Sequence, residues 1–283
     1  YNIEPDSIET WDDFIEAGKI ILEQSNGSTS MMAASVAGLF EYFEILMQQT
    51  GGGIFDETGN IMIRAPGNRR ALEILRAILD SGIAAPINAF SHEFFASFKN
   101  DRIATYPLAV WLGGSIKDYA PETAGNWGVF RLPAPYPGGP RVSNLGGSVL
   151  VIPAQSDKRD EAWAFIEYAL CTVGAQIEQY RNFDLFPGLL AAFDHPFFDE
   201  PDPFYAGQQV RRLFAQEIEQ IPALTRTSDW NEARRYLMQT LSGWASERQD
   251  HDVFLATIEA RLQRRLGRNI SPLSQGREVA HAR

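Results

Sequence analysis

Cysteine is nearly missing from this sequence. The lone Cys171 excludes an intramolecular disulfide, and its place in an apolar helical pattern marks it as a core residue before a nucleophile. No run of eighteen apolar residues occurs, so nothing reads as a membrane-spanning helix. The N-terminus also lacks a basic stretch running into an apolar one, so the protein is either cytoplasmic or has lost its leader. Positive charge is scarce: 25 Lys and Arg face 36 Asp and Glu, a formal net charge of −11. That excludes nucleic acid and anionic membrane as partners, since both need a basic face, and leaves neutral or cationic ligands. Catalytic motifs are lacking too. There is no GxSxG elbow, HExxH, P-loop or CxxC, and His92, His195, His251 and His281 are scattered. A carboxylate pair of the glycosidase kind cannot be read from spacing, because its members meet only in the fold.

What is present suits a large globular core: 283 residues, 45% of them hydrophobic, a length that favours roughly two domains. The most informative stretch runs from Asn144 to Leu170. Gly146 and Gly147 bare the backbone where it approaches something else, and Ser148 to Ile152 form an apolar, β-branched run ended by Pro153, which reads as a buried strand. Gln155 to Arg159 is a loop with Ser156 or Asp157 as N-cap, and Ala162, Phe165, Ile166 and Ala169 recur at helical spacing. A strand feeding a helix is half of a βαβ unit, which predicts a parallel sheet nearby.

Elsewhere helices dominate. Thr10 with Asp13 makes a near capping box before the stripe Phe14, Ala17, Ile21 and Leu22. Further helical patterns cover Met31 to Gln49, Asn68 to Ser81, Phe94 to Phe98, Ala206 to Ile221, a helix capped by Ser228 or Asp229, and a last one through Phe254, Ile258, Leu262 and Leu266 to Gly267. Arg261, Arg264, Arg265 and Arg268 suit the C-terminal end of that helix as a solvated face. Ile54 to Ile63 reads as a hairpin; its Asp56 to Asn60 cluster lacks the ligand spacing of a calcium loop, so no metal and no cofactor are assigned. Asp101 to Ala109 is extended, with Trp111 at its end beside Gly113 and Gly114, either a core residue or a ligand contact. Trp127 to Leu132 reads as a strand, and the segment Pro133 to Pro140 as a crossing between two lobes, with a second crossing near Phe186, Pro187 and Gly188. Ser271 to Arg283 reads as a disordered tail.

The order of these segments resembles the family 1 extracellular solute-binding proteins, the sugar-binding components of ABC importers. The resemblance rests on PDSIETWDDF, TGGGIFDETGN, FKNDRIATYPLAVW, NWGVFRLP, NLGGSVLVIP with DEAWAFIEYAL, and FYAGQQV, and it runs to about Arg268. It implies an α/β, periplasmic-binding-protein type II fold, two lobes with a hinge and a helix-rich second lobe. Residues 1–137 and 188–270 would build the second lobe, 141–186 part of the first, and 271–283 a tail. The segment that precedes the TWDDF-like helix in the family has no counterpart here, so the first lobe is expected to be incomplete.

The resemblance also implies a function: extracytoplasmic capture of a mono- or oligosaccharide by cleft closure and its delivery to permease subunits, by a monomer with no catalytic residues. A carbohydrate-active enzyme using a carboxylate pair is the alternative. By position in the motifs, Trp111 would stack on a pyranose ring, and Gly146, Gly147 and Ser148 would face the ligand. Trp230 resembles a second stacking aromatic, with packing at a helix start as the other reading; Ser35, Asn182 and Asp184 are further polar candidates. Relatives often carry a polar residue where this chain has Leu108.

Overall fold

The computed structural model describes residues 1–275. In chain order its main elements are α1 (Trp11–Gln24), β1 (Met32–Ala33), α2 (Leu39–Gln49), α3 (Pro66–Asp80), β2 (Ala84–Ala85), α4 (His92–Ala96), α5 (Leu112–Tyr119), α6 (Arg159–Cys171), α7 (Val173–Phe183), α8 (Val210–Glu217), α9 (Trp230–Ser246) and α10 (His251–Leu266). They divide into two compact units: residues 1–107, 130–144 and 220 onward form one, and residues 108–129 with 145–219 the other. These borders lie elsewhere than the crossings expected near residues 137–141 and 186–188.

In the first unit the helix starts follow from local chemistry. The Thr10 side chain accepts from the Asp13 N–H while the Asp13 carboxylate accepts from the Thr10 N–H at 2.8 Å, a complete capping box. The Thr10 hydroxyl, which donates to that carboxylate at 2.8 Å, and then the Thr10 N–H hold the Asp13 carboxyl below its ordinary pKa. Thr10→Ala should therefore cost about 1 kcal/mol of unfolding free energy, measured as a lower urea midpoint at unchanged slope. α3 begins with Pro66, whose missing N–H is no loss in a first turn. α2 packs on α3 and α9, α10 on α3 and α9, and α1 on α3, burying Phe14, Phe40, Phe43, Leu46, Leu72, Leu75 and Trp244. Each such side chain contributes about 1.5–3 kcal/mol on burial, and this is the main cohesion of the unit.

Three expectations fail here. The start of the pattern from Met31 is not helical: β1 pairs in parallel with β2, Met32 opposite Ala84 and Ala33 opposite Ala85. A short apolar run fits either period, and tertiary pairing decides it. The segment Pro133 to Pro140 is held inside the first unit instead of standing as a bare crossing. Gln49 Nε2 donates to the carbonyls of Pro133 (3.0 Å) and Pro140 (3.2 Å), and Arg70 donates to that of Pro135. Lacking half of its own donors, the proline segment is bound through its carbonyls by long polar side chains. Nor is Ser271 part of a tail: it is buried, its N–H donates to the Ile61 carbonyl at 2.8 Å, and Pro272–Gln275 forms a 3₁₀ turn. Residues 276–283 of the expected tail, with His281, lie outside the described residues.

The second unit is built on aromatic packing. Ile177, Tyr180, Ala192, Phe197 and Phe198 are its buried cluster, with Phe186 and Phe193 against it. Tyr180 meets Phe186 edge-on at 5.3 Å and Phe197 at 5.7 Å, the geometry ring quadrupoles favour. Phe186 is thus packed within this unit. Two predicted strands, Trp127 to Leu132 and Ser148 to Ile152, are not strands, and Val149 to Val151 are exposed instead of buried. Cys171 is exposed as well, at the end of an α6 that buries nothing. A sequence pattern reports how apolar a segment is, whereas burial needs a partner surface.

Candidate functional site

In the second unit Trp111 caps α5 from just outside its first turn and is half-buried. Its indole N–H donates to the Leu145 carbonyl at 3.1 Å, which ties α5 to the start of the glycine segment. A Cβ on Gly146 would lie 3.3 Å from the Trp111 Nε1, and both Gly146 and Gly147 have φ near 100° (100° and 101°), where an L side chain is strained. Trp111, Gly146 and Gly147 are therefore one local arrangement, and Ser148 follows it as an exposed residue. A half-exposed indole pinned by its edge is a fixed platform next to bare backbone, which can meet the flat apolar side of a ligand.

α5 is seated by its own glycines. A Cβ on Gly113 would come within 2.5 Å of the Tyr205 hydroxyl, and one on Gly114 within 3.0 Å of Asp184 Cβ. Asp184 ends α7 in the left-handed region (φ 49°), and its Oδ1 accepts from Lys117 Nζ at 3.0 Å. Lys117 also reaches Asp202 Oδ2 at 3.3 Å, and Arg211 meets the same oxygen at 2.9 Å. Asp202 Oδ1 takes the Phe204 N–H at 3.0 Å, so every strong acceptor direction of this buried carboxylate is used. Burial, with the carboxylates of Asp184 and Asp202 nearby, pushes the Tyr205 hydroxyl pKa well above its ordinary value. The Asp184 carboxylate therefore has a structural partner within the unit. Asn182 donates to the carbonyl of Glu178 in its own helix.

The remaining candidates lie in the first unit. Ser35 precedes the turn Val36–Gly38, which packs on α9, and Trp230 is the first residue of α9. Trp230 is buried, with the Arg226 guanidinium 5.2 Å from its ring centre, which suits the helix-start packing reading. The Ser35 hydroxyl is buried and has no hydrogen-bond partner among the described residues. Below it on α2, Glu44 is buried between Arg234 (4.0 Å) and Arg226 (3.5 Å); desolvation raises its pKa, opposed by the two guanidinium charges. Sequence reading missed Lys117, Asp202 and Arg211, which come from helices and loops up to 94 positions apart and carry no short-range spacing signal. Among the described residues no cluster of His, Cys, Asp and Glu is arranged to hold a metal.

A family model described as bacterial extracellular solute-binding protein matches residues 1–172. The chain belongs to that family. Its relatives include an arabinooligosaccharide-binding protein of Halalkalibacterium halodurans, 27% identical over 208 residues that make up 72% of this chain and 46% of that protein. A lactose-binding protein of Rhizobium radiobacter is 30% identical over 223 residues, 76% of this chain and 50% of that one. This solute-binding protein thus spans about half the length of the curated relatives it matches. Among solved structures, the ABC transporter associated binding protein from B. animalis subsp. lactis, in complex with β-1,6-galactobiose, matches with a TM-score of 0.79 at 20% identity, covering 95% of this chain and 69% of that one. The sugar-binding protein MalE of Xanthomonas citri matches with a TM-score of 0.76 at 21% identity, over 94% and 65% of the two chains. The fold of this solute-binding protein is accordingly the α/β, periplasmic-binding-protein type II fold.

Proposed function

We propose that this solute-binding protein captures a carbohydrate, a mono- or oligosaccharide, outside the cytoplasm and delivers it to the permease subunits of an ABC importer. It acts as a monomer and carries out no chemistry on the ligand. The observation that carries this reading is the half-buried Trp111, held by its N–H beside the bare glycines 146 and 147. A pyranose has an apolar face and a polar rim, so its site needs an aromatic platform and a surround of hydrogen-bonding groups. Stacking that removes about 100 Å² from water contributes about 2.5 kcal/mol at 25 cal/mol per Å². Micromolar capture needs about −8 kcal/mol, so polar groups must supply the rest at about 0.5–1.5 kcal/mol each. Ser148 is exposed to do so.

The similar proteins support the ligand class, since they are named for arabinooligosaccharide and lactose binding or were solved with β-1,6-galactobiose. The test is a calorimetric and thermal-shift screen of these sugars and their monosaccharides. A cognate sugar at about 100 times its Kd should add about 2.7 kcal/mol to unfolding, with no hydrolysis product by chromatography. Absence of any shift across the panel would overturn the reading, and turnover would replace it with the enzyme alternative.

A further inference from the structure

Trp244, in the last turn of α9, is completely buried, and its indole N–H therefore needs an acceptor. It finds one on the next helix. Trp244 Nε1 donates to His251 Nδ1 at 3.2 Å, and His251 is the first residue of α10. The bond requires the neutral imidazole with its proton on Nε2. From α3, the Arg76 guanidinium lies 4.1 Å from the centre of the same indole and donates to the carbonyls of Trp244 (2.8 Å) and Ala245 (3.1 Å). One ring thus joins three helices, and its acceptor is a side chain whose charge ordinarily changes near pH 6.5.

The surroundings oppose a charge on that imidazole. Burial lowers the His251 pKa from its ordinary value and the Arg76 cation lowers it further, as does Arg69 of α3, while the carboxylates of Glu73 on α3 and Asp250 at the α10 cap act against them. Arg69 is itself paired with Glu73 at 3.3 Å and with Asp252 at 3.1 Å, and Arg248, just past α9, with Asp80 at 2.8 Å. The N-terminal end of α10 gathers partial positive charge, which also disfavours a cation there. A proton on Nδ1 would set donor against donor and leave a fully buried N–H without its acceptor. We propose that the Trp244–His251 contact is an acid-released catch: protonation of His251 breaks it and loosens α10 from α9 and α3. The folded-state pKa lies below the unfolded value of 6.5, so the catch is closed above that pH, and its contribution to stability is lost as pH falls from there through the folded value.

The test compares the wild-type chain with His251→Asn, whose Oδ1 can accept from Trp244 and does not titrate, between about pH 7.5 and about pH 5. In urea unfolding, the unfolding equilibrium constant of the wild type should rise relative to that of the variant by at least about threefold on acidification. Taking the ratio to the variant removes the other titrations, including that of His195, whose Nδ1 accepts the Phe197 N–H at 3.2 Å in the second unit. In proton–nitrogen NMR spectra the Trp244 indole N–H should shift and lose protection from exchange with the same midpoint as the His251 ring. Identical pH profiles of wild type and His251→Asn overturn the proposal, and so does an indole resonance that stays in place while the His251 ring takes up its proton. If His251→Asn does not fold, the wild-type titration decides by that second criterion.

Discussion

Asp202→Ala is expected to lower the unfolding free energy by about 3 kcal/mol. The carboxylate is 4% exposed and takes Arg211, Lys117 and the Phe204 N–H at once. Its removal leaves two cations and a backbone donor without their common acceptor, and breaking a buried pair in this way costs about 3–5 kcal/mol. The lower end applies because the Lys117 side chain is 26% exposed and keeps Asp184 at 3.0 Å. Asp202→Asn retains an acceptor for Phe204 and should fall between wild type and the alanine variant. Urea denaturation measures both, and a loss below about 1 kcal/mol for the alanine variant would show that water serves the two cations equally well.

Trp111→Ala should weaken binding of the sugar found by the screen by between ten- and a hundredfold, the equivalent of about 2.5 kcal/mol of lost stacking. Trp111→Phe separates the two roles of the indole. It keeps a ring for stacking but loses the N–H that donates to Leu145 at 3.1 Å. If stacking dominates, the phenylalanine variant retains most of the affinity; if the main role is to place the glycine segment, it binds as weakly as the alanine variant. Calorimetry reads the affinity, and an unchanged value for the alanine variant excludes Trp111 from the site. Far-UV circular dichroism of both variants should match wild type, because the residue is half-buried and lies outside the packed aromatic cluster of its unit.

Much of the helical architecture was legible because its signals are local. The Thr10 capping box and the Gly267 that ends α10 each act within one turn of chain. The apolar runs were harder. Met31 to Ala34 was read as helix and is a pairing segment, while Val149 to Val151 was read as a buried strand and lies exposed. In both cases the apolar character was right, but neither pairing nor cover is written in a segment of four or five residues. The candidate site divides the same way. Gly146 with Gly147 and the aromatic Trp111 stood out by residue type, whereas the Lys117–Asp202–Arg211 cluster could not be seen before the fold brought it together.

The sequence by itself determined where the chain turns helical and which residue types could meet a sugar, since these properties follow from residue chemistry and near-neighbour spacing. Only the tertiary structure decided that Trp111 is tied to Leu145, that Asp184 is occupied by Lys117, and that Val149, Val151 and the outer side of α6 stand bare. Those outcomes depend on distances between residues far apart along the chain, and such distances are set by the packing of whole elements.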